Sequence, residues 1–140
     1  MRKAKVIEFK SHLNSVELFE SIKKNGSYPF FLDSGMDKEK LGRYSFMGID
    51  PFLVIRSEGN KVSLEEKGTI KIVDGDPLDI LKENLNLYKV ESGKFPFVGG
   101  GVGYFSYEIA HLLEKLPNTV KKDLDIPEMV MGFYDGIVII

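Results

Sequence analysis

Cysteine is absent from the 140 residues, so disulfides, thiolate catalysis and cysteine-ligated metals are excluded. Histidine is almost as scarce: His12 and His111 lie far apart, which gives no basis for a histidine-rich metal centre. Nor does either charge dominate. Nineteen Lys and Arg stand against 21 Asp and Glu, a formal charge of −2, and a chain without surplus cations is not a general nucleic-acid binder. Long apolar runs are missing too, since stretches such as 51–55 and 137–140 fall far short of the roughly 20 residues that cross a bilayer. The basic start Met1-Arg2-Lys3-Ala4-Lys5 leads into the alternating Val6-Ile7-Glu8-Phe9-Lys10 rather than a continuous apolar segment, which argues against a secretory signal. The expectation is a cytoplasmic protein with no membrane or nucleic-acid partner.

What is present is ordinary globular composition, 43% hydrophobic and 29% charged, and the length suits one folded unit. Residues 5–9 have a period near two and read as a strand. Asn14 with Glu17 three residues on forms a capping-box pair, Val16, Leu18, Phe19 and Ile22 share a helical face, and Gly26 reads as a left-handed stop, which together predict a helix over 15–25. Residues 28–34 and 43–50 read as two strands separated by a charged loop. Three short runs, 52–56, 61–64 and 69–73, are divided by Glu58-Gly59-Asn60 and Glu66-Lys67-Gly68 and predict a meander. Asp76-Pro77 opens a second helix with Leu78, Leu81, Leu85 and Tyr88 as its buried stripe. A third helix follows the glycine cluster 99–103, with Tyr107, Ile109, Ala110, Leu112, Leu113 and Leu116 before Pro117. Residues 129–140 form a final extended segment. Strands in runs with inserted helices define an α+β fold with a mainly antiparallel sheet and about three helices. The aliphatic run Ile137-Val138-Ile139-Ile140 resembles a strand covered on both faces, which suggests either a fragment or a subunit that docks its last strand on a partner.

The chemistry-bearing motifs admit two readings each. Glycines 99–103 before a helix invite a phosphate loop, but the dinucleotide fingerprint fails because Tyr104 stands where its last glycine belongs. A Walker loop fails for want of Lys followed by Ser or Thr. Close approach of a second backbone, a bulge or a bend is the structural alternative. Asp33-Ser34-Gly35 could hold the charged head of an amino acid or form a simple turn. Arg43 could grip a ligand carboxylate with its planar fork or pair with a surface acid. No acid–base pair, activated nucleophile or carboxylate cluster with metal spacing emerges, so no catalytic residue is assigned. Asp123 and Asp125 read as solvated loop charge, and His111 as a helix-surface or partly buried histidine.

Taken together, Phe31-Leu32-Asp33-Ser34-Gly35, Gly42-Arg43-Tyr44-Ser45-Phe46-Met47-Gly48-Ile49-Asp50-Pro51 and Phe97-Val98-Gly99-Gly100-Gly101-Val102-Gly103-Tyr104-Phe105-Ser106-Tyr107-Glu108 resemble the N-terminal region of component I of aminodeoxychorismate synthase and anthranilate synthase. The resemblance implies that 1–140 is a single N-terminal domain of a β-sandwich-like enzyme, packing against its own C-terminal chorismate-binding domain, which is absent here. It implies a glutaminase subunit that delivers ammonia, and Mg2+ bound by ligands outside these residues that orients and polarises chorismate. It also implies a tryptophan site, onto which Ser34 and the stretch Leu41, Gly42, Arg43 and Tyr44 map. Asp33 departs from the glutamate usual in anthranilate synthases, which tilts the resemblance toward the aminodeoxychorismate branch. A tryptophan-binding module without catalysis is a further alternative.

Overall fold

A computed structural model of the chain describes residues 2–34, 43–91, 93–114 and 125–140. Along the chain run α1 (Ser15–Ile22), β1 (Phe30–Leu32), β2 (Phe46–Gly48), β3 (Leu53–Glu58), β4 (Lys61–Glu66), β5 (Thr69–Asp74), α2 (Pro77–Leu87), β6 (Gly101–Phe105), α3 (Ala110–Leu113), β7 (Met129–Phe133) and β8 (Val138–Ile139). Antiparallel pairing and three α-helices make this the α+β class that the sequence pattern predicts. Cα packing divides the chain into two compact units.

The first unit comprises Met1–Pro51, Tyr88–Gly100 and Phe133–Ile140. Its sheet has the order β1-β2-β8, with Phe31 opposite Met47 and Met47 opposite Val138. The capping box forms as expected: Asn14 Oδ1 accepts the Glu17 N–H at 3.0 Å, and Glu17 Oε2 accepts the Asn14 N–H at 3.0 Å. A 3₁₀ turn, Lys23–Asn25, extends α1, so the helical stretch predicted over 15–25 is present. Gly26 is a correction. It is extended (φ −147°, ψ 170°), and glycine is needed there for room, since a Cβ would lie 2.7 Å from Ile49 Cδ1. Residues 5–9 are a second correction. They lie exposed outside any strand, because a period-two pattern becomes a strand only when another backbone meets it, and among the described residues none does. Phe30, Met47, Phe133 and Tyr134 are buried here. Tyr134 meets Phe30 edge-on at 4.6 Å and its hydroxyl donates to the Tyr28 carbonyl at 2.6 Å. Desolvation by burial raises the Tyr134 phenol above its ordinary pKa, which keeps this donor protonated.

The second unit comprises Phe52–Leu87 and Gly101–Gly132, with sheet order β5-β4-β3-β7-β6. The meander appears as predicted, with Ile55 opposite Leu64 and Leu64 opposite Lys71. Leu53, Val54 and Ile55 are all buried, as befits a strand flanked on both sides and covered on both faces. Asp76 Oδ1 caps α2 by accepting the Leu78 N–H at 2.8 Å, and Pro77 and Leu81 are buried. The predicted stripe is covered only in part, because Leu85 is exposed. The glycine cluster supplies β6, where a Cβ on Gly103 would lie 1.8 Å from the Val130 carbonyl oxygen. Close backbone approach is therefore what this glycine provides. The third helix is shorter than expected: a 3₁₀ turn, Tyr107–Ile109, leads into α3, and Glu114 is already extended (φ −140°, ψ 150°). Leu116 and Pro117 lie outside the described residues. The segment expected to run unbroken over 129–140 is two strands in different sheets, parted at 134–137.

Ser57 carries a testable consequence. Its side chain is 1% exposed, opposite the buried Val62, and its Oγ has no hydrogen-bond partner among the described residues. A buried hydroxyl without a partner gains nothing over a methyl group. We expect Ser57→Ala to leave stability unchanged or raise it by up to about 1 kcal/mol, read from the urea midpoint. A loss of more than about 1 kcal/mol would reveal a partner for that hydroxyl.

Candidate functional site

The β1–β2 hairpin brings two sequence-predicted site segments together. Beyond Leu32 opposite Phe46, the pairing continues through side chains: Ser45 Oγ donates to Asp33 Oδ1 at 2.7 Å, the Ser34 N–H reaches Ser45 Oγ at 3.4 Å, and Ser34 Oγ donates to the Tyr44 carbonyl at 2.5 Å. Ser45 is fixed in turn by β8's neighbour, exchanging backbone hydrogen bonds with Ile140 at 2.8 and 3.0 Å. Asp33, Ser34, Arg43 and Tyr44 are thus held at one end of a small sheet. Leu41 and Gly42 lie outside the described residues.

Aromatic rings lie alongside. Tyr44 meets Phe95 edge-on at 5.6 Å and Phe46 at 6.3 Å, and Phe46 meets Phe97 edge-on at 5.6 Å. The guanidinium carbon of Arg43 sits 5.9 Å from the Tyr44 ring centre, and Lys94 Nζ lies 5.7 Å from that of Phe95. Phe95, Phe97 and Ser45 were not singled out as site residues from sequence. The aromatic pair flanking Pro96 is the signal that was available.

The hydrogen-bond directions define what this end of the sheet can recognise. Ser34 has committed its only hydroxyl proton to Tyr44, so it meets a ligand with lone pairs, and Asp33 adds a carboxylate. Both favour a cationic head such as an ammonium, while the exposed Arg43 suits a carboxylate. The aromatic edges suit an apolar ring. Elsewhere, His111 is exposed and pairs with Glu108 at 3.2 Å, in keeping with a surface role, Asp125 is exposed, and Asp123 lies outside the described residues. Among the described residues no three His, Cys, Asp or Glu side chains come together as a metal site, and no helix is long and apolar enough to cross a membrane.

The two-sheet α+β architecture is that of anthranilate synthase component I from Streptococcus pneumoniae TIGR4, with a TM-score of 0.61 at 20% identity over 96% of this chain and 29% of that one. No family model matches the chain. Among individual proteins it is 35% identical over 127 residues to anthranilate synthase component 1 of Acetivibrio thermocellus, covering 89% of this chain and 26% of that protein. It is 26% identical over 130 residues to aminodeoxychorismate synthase component 1 of Klebsiella aerogenes, covering 91% and 29%. The chain is similar to part of these component 1 proteins and spans about a quarter of their length.

Proposed function

We propose that the chain is the N-terminal domain of a cytoplasmic component I enzyme that aminates chorismate with ammonia from a glutaminase subunit. The observation that carries this reading is its alignment, over about nine-tenths of its length, with component 1 proteins of both names. In this reading the chain is a scaffold and is inactive alone. In this reading magnesium is held by the remaining polypeptide. Two products compete. The Asp33-Ser34-Gly35 pattern favours 4-amino-4-deoxychorismate, an intermediate of 4-aminobenzoate and folate synthesis, whereas the higher identity favours anthranilate and tryptophan synthesis, 35% against 26%. Incubating the full-length component with chorismate, ammonia and magnesium decides between them by the product formed. Turnover by the 140-residue chain alone would reject the scaffold reading.

A tryptophan site at the end of the β1–β2 hairpin is part of the proposal. It is supported by the Asp33, Ser34 and Ser45 network beside the Tyr44, Phe46, Phe95 and Phe97 rings. The ammonium would meet Asp33 and Ser34, Arg43 the carboxylate, and Tyr44 the indole, with Leu41 and Gly42 completing the segment. We expect Ser34→Ala to weaken tryptophan binding by about 0.5–1.5 kcal/mol, the net scale of one neutral hydrogen bond. Isothermal calorimetry measures this directly, and unchanged affinity would remove Ser34 from the site.

A further inference from the structure

Asparagine followed by glycine occurs once in the chain, at Asn25-Gly26, whereas the other asparagines precede Ser, Lys, Leu or Thr. Asn25 is exposed and closes the 3₁₀ turn that extends α1. Its side chain is held by a hydrogen bond from Nδ2 to the Ser21 carbonyl at 3.3 Å, long for an amide donor. Gly26 is extended and carries no Cβ to obstruct its own nitrogen. Immediately after it comes a clasp. The Ser27 N–H and hydroxyl donate to Asp50 Oδ1 at 2.7 and 3.0 Å, and the Asp50 N–H donates to the Ser27 carbonyl at 2.9 Å. The clasp holds left-handed backbone on both sides, Tyr28 at φ 45° and Asp50 at φ 52°, a conformation that lasts only where surrounding contacts enforce it. Gly26 lies so near that an added Cβ would stand 2.9 Å from Asp50 Oδ2.

We infer that Asn25 is a self-modifying site, whose conversion to isoaspartate opens the Ser27–Asp50 clasp. The Gly26 nitrogen gives up its proton and attacks Asn25 Cγ, an intramolecular approach that needs no second reactant. The N–Cγ bond forms, the Cγ–Nδ2 bond breaks, and Nδ2 leaves with that proton as ammonia. Water then opens the cyclic imide at either carbonyl. Cleavage at Cγ gives aspartate with the original backbone. Cleavage at the main-chain carbonyl gives isoaspartate, in which the backbone runs through the side chain and gains one carbon. No electrons are transferred, and water is the only co-reactant. The extra carbon enters two residues ahead of Ser27, and the new carboxylate appears on the segment packed against Asp50, so both register and charge work against the clasp. The inference is independent of the component I reading.

Ageing the folded chain in warm, mildly alkaline buffer tests this, with peptide mass spectrometry following the change from amide to acid. Conversion at Asn25 should be at least tenfold faster than at Asn14, Asn60, Asn84 or Asn86, and within tenfold of its own rate in urea, where no fold restrains it. A folded-state rate lower than either bound overturns the site. Asn25→Gln, whose longer side chain must close a larger ring, should abolish the change and keep the melting temperature of the parent. Gly26→Ala is unsuitable, because its Cβ would also stand 2.7 Å from Ile49 Cδ1. In the isoaspartate fraction, hydrogen–deuterium exchange at the Ser27 and Asp50 amides should be at least tenfold faster than in fresh protein. Unchanged exchange overturns the opening of the clasp. Freshly purified Asn25→Asp, which adds the charge without the extra backbone carbon, should keep slow exchange. Fast exchange there would assign the opening to charge alone and overturn the part given to isoaspartate.

Discussion

Replacing Gly103 by alanine should destabilise the second unit by about 3 kcal/mol. The new Cβ would stand 1.8 Å from the Val130 carbonyl oxygen and 2.8 Å from the Val130 carbonyl carbon, so the obstacle is backbone rather than a side chain that can turn aside. β6 would have to move away from β7, lengthening the contacts that hold the edge strand in place. Overpacking typically costs about 1–3 kcal/mol where side chains can yield, and a backbone clash belongs at or above that upper limit. About 3 kcal/mol corresponds to a fall of roughly 10 °C in melting temperature for a chain of this size. Thermal unfolding followed by circular dichroism measures it. A loss below about 1 kcal/mol would mean that the β6–β7 approach is looser than described.

Phe133→Ala should have an effect of similar size by the opposite route, removing volume instead of adding it. Phe133 ends β7, is fully buried and lies 5.8 Å from the tilted ring of Tyr88. Truncating a buried phenylalanine costs about 3–5 kcal/mol, the transfer energy of the lost ring plus whatever cavity the surroundings fail to close. Phe133→Leu retains most of the volume and should recover more than half of that loss. Equilibrium urea unfolding of both variants provides the test. Equal midpoints for Phe133→Ala and the parent would show that the ring is not part of a packed interior.

Local features of this fold were legible in the sequence because local physics specifies them. The capping pair Asn14 and Glu17, the turn residues between β3, β4 and β5, and the Asp76-Pro77 helix start are read from a few adjacent residues, and the structure contains all of them. Features that depend on distant partners were not. Residues 5–9 have the alternation of a strand, yet alternation does not supply the opposing backbone. The run over 129–140 is interrupted by the turn dipeptide Asp135-Gly136, but no local signal tells that its two halves pair with strands of different sheets. At the candidate site the same division holds. Asp33, Ser34, Arg43 and Tyr44 were visible as motifs, whereas Phe95 and Phe97 reach Tyr44 and Phe46 across about fifty residues of chain, a juxtaposition that only tertiary packing creates.

The placement of β7 between β3 and β6 also bears on how the polypeptide is born. As the chain leaves the ribosome, β3, β4 and β5 can zip together at once, since each turn joins immediate neighbours. β3 must then wait for some seventy further residues to be translated before β7 arrives, and at ~5–20 residues per second that interval lasts several seconds. During it the nascent meander offers a bare apolar flank, and a strand edge left open in this way is a template for pairing with another chain.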